Sequence, residues 1–176
     1  MQKEISIEKV IEKYANMVYR IALTRCGTVE NAEDVFQDVF IKYSQKERMF
    51  QNSEHEKAWF IRVTLNLTKN QKQSLWNKKI TNLDENIVFE NKEEQEVFSI
   101  VCELPQNYRT VVYLLYYEGY KVKEISKLMK TSEGTIKTWL FRAREILKEN
   151  LILLDEIEKI NLYLDNRSVK IGNRLS

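Results

Sequence analysis

The chain has 176 residues, room for one domain or two small ones, and its 28 Lys and Arg against 26 Asp and Glu leave a net charge of only +2. A single histidine, His55, and the distant cysteines Cys26 and Cys102 give no His dyad, no CxxC ligand pair and no disulfide framework, and Gly27, Gly119, Gly134 and Gly172 form no phosphate-cradling loop. With no signal peptide and no apolar run long enough to span a bilayer, the expectation is a cytoplasmic protein without catalytic chemistry, cofactor or metal.

In chain order, Ile7, Val10, Ile11, Tyr14, Val18, Ala22 and Arg25 recur at helical spacing and predict one long amphipathic helix stopped by Gly27. Thr28 can cap a second helix, whose apolar face is Ala32, Val35, Phe36, Val39, Phe40 and Tyr43. The opposite side of that helix gathers Asp34, Gln37, Asp38 and Ile41. An Ile ringed by acids and an amide is what an interface presents, although a solitary surface Ile is also ordinary.

A loop from Gln45 through Ser53 leads to a third helix, expected to open at Ser53 with Glu56 completing a capping box. Trp59, Phe60, Val63 and Leu67 are expected to face inward. Arg62, Asn66, Lys69, Lys72, Gln73 and Trp76 then share the other surface. Cations beside an aromatic ring suit single-stranded DNA, because they neutralise phosphates while an unstacked base lies on the ring. The plainer alternative is that Trp76 covers a hydrophobic edge and the lysines are merely solvated.

From Asn82 to Ser99 the chain is acidic, with Asp84, Glu85, Glu90, Glu93, Glu94 and Glu96 against Lys92 alone. It reads as a linker whose latter half can be helical, either a solvated tether or an acidic mimic of nucleic acid. Beyond it, Pro105 suits the first position of a helix with Tyr108, Val111, Val112 and Leu115 on its apolar face, and Gly119 supplies a left-handed stop. The next helix starts at Lys121 without a capping side chain, but Glu124 can reach back to the Lys121 N–H, and Val122, Ile125, Leu128 and Met129 form its buried stripe.

Only Lys130, Thr131 and Ser132 separate this helix from the next, a spacing that forces a helix-turn-helix. Ser132 can cap the last helix. Ile136, Leu140, Ala143 and Leu147, widened by Trp139 and Ile146, make its core stripe. Its other face carries Thr135, Lys137, Thr138, Phe141, Arg142 and Glu145, a mixture of base-edge readers and phosphate-seeking cations. Residues 101–150 hold nine Lys and Arg against six Asp and Glu, so the basic excess sits where a duplex would lie. Such a weakly basic protein binds DNA poorly alone and depends on a larger partner. After it, Leu151, Leu154, Ile157, Ile160 and Leu164 extend the helix or form another, and 166–176 reads as frayed. Docking of this tail on its own domain is favoured over binding a regulator or having no role.

Two blocks carry a family resemblance. Leu104-Pro105, Tyr108-Arg109, Glu118-Gly119, Glu124-Ile125, Gly134-Thr135-Ile136-Lys137 and Arg142-Ala143-Arg144 resemble region 4 of the bacterial sigma-70 family, while Asn31 to Phe40 and Trp59 to Asn66 resemble regions 2.2 and 2.3–2.4. The small size points to the extracytoplasmic-function (ECF) group. The resemblance implies an all-α fold of two small helical domains joined by a linker, the second a helix-turn-helix: 1–80 region 2-like, 81–100 acidic linker, 101–155 region 4-like, 156–176 tail. It implies a dissociable subunit that directs core RNA polymerase to promoters. Asp34, Gln37, Asp38 and Ile41 would dock on the clamp helices of the polymerase, and the C-terminal domain would touch its flap. Met49, Phe50 and Asn52, in the loop where the family captures a flipped base, would join Arg62, Asn66, Lys69, Lys72, Gln73 and Trp76 on the minus-10 element and its melted non-template strand. Ser132, Glu133, Gly134, Thr135, Lys137, Thr138, Phe141 and Arg142 would read the minus-35 duplex. An anti-sigma factor is an expected partner. Two alternatives stand beside this: a conventional helix-turn-helix regulator, and a degenerate sigma-like protein acting through protein contacts alone.

Overall fold

The computed structural model describes residues 6–69 and 88–150, as two compact units, Met1–Phe89 and Glu90–Ser176. Among the described residues every regular element is helical. Lys72, Gln73 and Trp76, and the tail from Leu151, lie outside the described residues.

In the first unit, α1 (Ile7–Cys26) ends as expected at Gly27, whose φ of 73° is left-handed and whose N–H donates to the Leu23 carbonyl. α2 (Val29–Ser44) starts at Thr28, whose hydroxyl accepts from the Asn31 N–H. α3 (Ser53–Thr68) packs against both. Phe60 is the hub of their shared core, fully buried with its ring 4.5 Å from Tyr14, 5.1 Å from Tyr43 and 5.5 Å from Phe40 between centroids.

α3 opens at Ser53 as expected, but its cap and its phase differ from expectation. Its cap is Asn52, not Ser53: the Asn52 Oδ1 accepts from the His55 N–H at 2.8 Å. Glu56 takes no part in a capping box. It is buried, accepting from the Tyr14 hydroxyl at 2.7 Å and the Tyr43 hydroxyl at 3.1 Å, with Lys13 Nζ 3.5 Å away and donating to Ser53 Oγ. The inward face is Phe60, Ile61, Thr64, Leu65 and Thr68, while Trp59, Val63 and Leu67 are only half-buried. Two threonines are compatible with that burial because their hydroxyls donate within the helix, Thr64 to the Phe60 carbonyl and Thr68 to that of Leu65. Arg25 Nε adds a donor to Thr68 Oγ1.

The stretch expected to be a linker is not one throughout. Val88 and Phe89 lie on α1: the Asn16 amide makes paired hydrogen bonds of 3.2 Å with the Val88 backbone, Arg20 also donates to the Val88 carbonyl, and its guanidinium covers the Phe89 ring at 4.6 Å. From Lys92 the chain is helical. α4 (Lys92–Val101) opens the second unit with Asn91 as cap, burying Val97, Phe98 and Val101 in the spacing of a core helix.

Pro105 turns out to be the N-cap of α5 (Gln106–Val112) rather than its first residue. α5 then widens into a π-helical turn, Tyr113–Tyr117, closed by Glu118 N–H on the Tyr113 carbonyl. Val111 and Val112 are buried as expected and Tyr108 is half-exposed; in the wider turn that follows, Tyr113, Leu114, Tyr116 and Tyr117 go inside and Leu115 is half-exposed. Tyr113 stacks on Tyr117 at 5.2 Å and meets Phe98 edge-on at 6.1 Å, and Gly119 stops the segment with φ 75°.

α6 (Val122–Met129) buries Ile125 and Leu128, with Val122 and Met129 half-buried, and the Glu124 carboxylate accepts from the Lys121 N–H at 2.8 Å. Lys130 ends α6 at φ 52°, ψ 47°, and the Thr131 N–H donates to Ser126 across the end of the helix. A non-glycine residue in this conformation carries a steric cost. Lys130→Gly is therefore expected to raise stability by about 0.5–1 kcal/mol, read as a higher melting midpoint by circular dichroism. α7 (Glu133–Asn150) then buries Ile136, Leu140, Ala143 and Leu147 as expected.

Candidate nucleic-acid and polymerase-binding surfaces

On α2 the buried positions Ala32, Val35, Val39 and Phe40 force Asp34, Gln37, Asp38 and Ile41 to the far side, and all four are exposed. Ile41 keeps 49% of its surface in water. No fold requirement accounts for an aliphatic side chain there, and the two carboxylates beside it match a basic partner.

Arg62, Asn66 and Lys69 are exposed one turn apart along α3. The loop that precedes α3 is held at several points. Arg48 donates to the Lys42 carbonyl near the end of α2, and its guanidinium lies 4.3 Å over the Trp59 ring. Phe50 is half-buried, with its ring 6.4 Å from Tyr43, 6.1 Å from Trp59 and 5.9 Å from His55. Asn52 is spent on the α3 cap. Met49, by contrast, is 87% exposed. Of the three loop residues expected to meet DNA, Met49 and Asn52 are exposed, Asn52 with its Oδ1 on the α3 cap, and Phe50 is half-buried against the helices.

Tyr43 sits behind this brace. Burial first, then the charge and hydrogen bond of Glu56, hold its phenol up to about 12 from the ordinary 10.0. A folded-state value above the unfolded one stabilises fully below about pH 10 and fades as pH rises towards about 12. Urea melts of wild type and Tyr43→Phe are expected to diverge in slope only across that window, the wild type losing stability faster.

On α7 the helical phase leaves Glu133, Gly134, Lys137, Thr138 and Arg142 exposed, and Phe141 stands out with 65% exposure. Ser132 caps the helix, accepting from the Thr135 N–H at 3.2 Å, and its hydroxyl is 2.8 Å from that of half-buried Thr135. Thr138 donates to the Gly134 carbonyl. A methyl group added at Gly134 would meet nothing within 4 Å, so packing within the unit does not demand glycine there. Arg144 is used differently from Arg142: it donates to the Tyr116 hydroxyl and lies over that ring, tying α7 to the π-helical turn. Trp139 is half-buried, in keeping with its place at the edge of the core stripe.

Cys102 is buried, which pushes its thiol up to about 12, and no group of three metal-binding side chains occurs among the described residues. No helix among the described residues is long and apolar enough to cross a membrane.

A helical unit with a segregated acidic-apolar face, followed by a helix-turn-helix unit with a cationic, solvent-facing second helix, defines a DNA-reading transcription protein. Comparison with known proteins makes this specific. Residues 10–77 match the model of sigma-70 region 2 and residues 94–147 that of sigma-70 region 4. The ECF RNA polymerase sigma factor SigM of Bacillus subtilis is 30% identical over 154 residues, covering 82% of this chain and 94% of that protein. SigW of the same organism is 24% identical, covering 81% and 87%. The sigma factor RpoE from Bartonella quintana, solved in complex with the anti-sigma factor NepR, superposes with a TM-score of 0.60 at 18% identity, covering 81% of this chain and 94% of that one. The chain belongs to the ECF group of the sigma-70 family, and its function is that of a promoter-specific sigma factor of RNA polymerase.

Proposed function

We propose that the two units divide the work of promoter recognition. The exposed Asp34, Gln37, Asp38 and Ile41 of α2 bind the clamp helices of core polymerase; Arg62, Asn66 and Lys69 of α3, with Lys72, Gln73 and Trp76 beyond it and the loop around Met49, contact the minus-10 element. Ser132 through Thr135, Lys137, Thr138, Phe141 and Arg142 contact the minus-35 duplex, with Phe141 available to a thymine methyl. The protein performs no bond chemistry of its own and works in the cytoplasm. The boundaries of this division are a region 2-like domain over 1–80 and a region 4-like domain over 101–155, to which α4 is added.

The observation that carries the reading is the exposed face of α7, where Lys137 and Arg142 stand free of ion pairs among the described residues on the second helix of a helix-turn-helix. The RpoE neighbour was solved with an anti-sigma factor bound, and a protein antagonist of that kind is the expected regulator here. The test pairs two lesions in reconstituted transcription with sigma-free core enzyme. Asp38→Arg should weaken core binding by about tenfold or more, since it sets like charges together at an interface, while leaving the fold intact. Unchanged core affinity in Asp38→Arg would remove α2 from the polymerase interface.

A further inference from the structure

The second unit begins where the first ends: Phe89 is the last residue of one and Glu90 the first of the other. Val88 and Phe89 are held on α1. The Asn16 amide donates to the Val88 carbonyl and accepts from its N–H, while buried Arg20 donates to the same carbonyl and covers the Phe89 ring. Glu90 and Asn91 are already committed to α4, the Glu90 N–H donating to the Glu94 carboxylate and the Asn91 Oδ1 accepting from the Glu94 N–H. With Phe89 docked, the chain therefore has no slack between the units. The docking itself is light. Val88 keeps 69% of its surface in water, so this strap is held by polar groups and one ring, and contacts of that kind open locally without unfolding either unit.

We propose that Val88 and Phe89 form a latch that restrains the free protein: docked on Asn16 and Arg20, they deny the units the separation that two promoter elements demand, and the latch opens as the promoter complex assembles. The reason is reach. The longest helices, 20 residues in α1 and 18 in α7, are each about 30 Å long, so two bodies of that size joined without slack extend about 60 Å from end to end. The minus-10 and minus-35 elements are, as their names state, about 25 base pairs apart, which is about 85 Å of duplex at about 3.4 Å per pair. The latched chain cannot occupy both. Release adds residues 70–89 to the tether, a length of chain able to span up to about 70 Å, and both elements come within reach. While the latch is closed in most molecules, apparent affinity is reduced in proportion to the open fraction. The proposal rests on the division of promoter contacts between the two units given above and adds the device that controls it.

The test uses the full chain, first alone and then titrated into core polymerase on promoter DNA. In the free protein the Val88 N–H, held by the Asn16 Oδ1, should exchange with deuterium about tenfold more slowly than in Asn16→Ala. Asn16→Ala and Phe89→Ala loosen the latch from its two sides, and each should raise the apparent affinity of the chain for core enzyme on a two-element promoter by about threefold or more, the worth of one hydrogen bond or ring contact. Initiation at saturating chain should stay as it is. On the same promoter with its minus-35 element scrambled, wild type and variants should bind alike, because one element demands no separation. A merely structural role for Asn16 and Phe89 would lower affinity on both promoters. The proposal is overturned if the wild-type Val88 amide exchanges as fast as in Asn16→Ala, if the variants gain nothing on the two-element promoter, or if they gain equally on the scrambled one. A wild-type chain indifferent to scrambling of the minus-35 element is a different result: it removes the two-element reading and the function of the latch with it, and slow exchange at Val88 would then report docking alone.

Discussion

Replacing Lys137 and Arg142 together with alanine is expected to lower affinity of the holoenzyme for a minus-35 duplex by about tenfold or more, and to reduce the slope of log affinity against log salt by roughly two, about one per cation withdrawn from phosphate. Both side chains are exposed on α7, and neither is held by an ion pair among the described residues. Their removal thus leaves no buried partner behind. Alanine is also the best helix former, so thermal stability should not fall. Arg144 provides the control within the same helix. Its guanidinium is engaged by Tyr116, and Arg144→Ala should lower the melting midpoint of the unit instead. Binding titrations at several salt concentrations, with core affinity measured in parallel, decide the matter. Equal loss of core binding in the double variant would sink the division of labour between the units.

Glu56→Ala should be the most damaging single change to the first unit. Its carboxylate accepts from Tyr14 and Tyr43 and is the point at which α1, α2 and α3 share a polar contact beneath their apolar core. Truncation leaves the Tyr43 hydroxyl without its acceptor and the Tyr14 hydroxyl with only the long contact of 3.5 Å to the Ser53 carbonyl. At about 1–3 kcal/mol for each buried polar group stranded in this way, with partial recovery by water, the loss should reach about 2–4 kcal/mol. For a unit of this size, that corresponds to a fall of roughly 10 °C or more in melting midpoint. The nearby Lys13 contributes little, because its ammonium is half exposed and screened. Glu56→Gln retains an acceptor and should lose about half as much. A thermal melt of Glu56→Ala indistinguishable from that of the surface variant Glu12→Ala would show that the two tyrosines find other acceptors without strain.

The Glu56 cluster also explains where sequence reasoning faltered. Asn52 and Ser53 are both good capping residues, and a Glu three positions after Ser53 fits the capping-box pattern equally well whether or not it is available. What removed it was the presence of two phenols, 42 and 13 positions away in sequence. The inward phase of α3 was misjudged for a related reason. Thr64 and Thr68 count as polar in any periodicity, yet their hydroxyls are satisfied by the helix itself and they bury at no polar cost. The π-helical turn at Tyr113–Tyr117 has no sequence signature beyond a run of large residues, and within it Leu115, expected on the apolar face, is half-exposed. α4 was read as the helical half of a linker because its acids dominate the count, while Val97, Phe98 and Val101 carry the helical spacing that buries it in the second unit.

The sequence by itself determined most of the helices, most of their ends and the solvent-facing side of α7. Gly27, Thr28, Gly119, the Glu124 carboxylate and Ser132 act through groups within a few positions of themselves, and a helix with Ile136, Leu140, Ala143 and Leu147 inside has no choice about what it turns outward. Local stereochemistry and a 3.6-residue period suffice for these. Only the tertiary structure decided which loop residues are free. Met49, Phe50 and Asn52 look equally available along the chain, and it is the convergence of Tyr43, Trp59 and His55 from two different helices that takes Phe50 inside and leaves Met49 in water. Contacts between distant positions have no period to read, because they depend on how helices pack and not on how one helix turns.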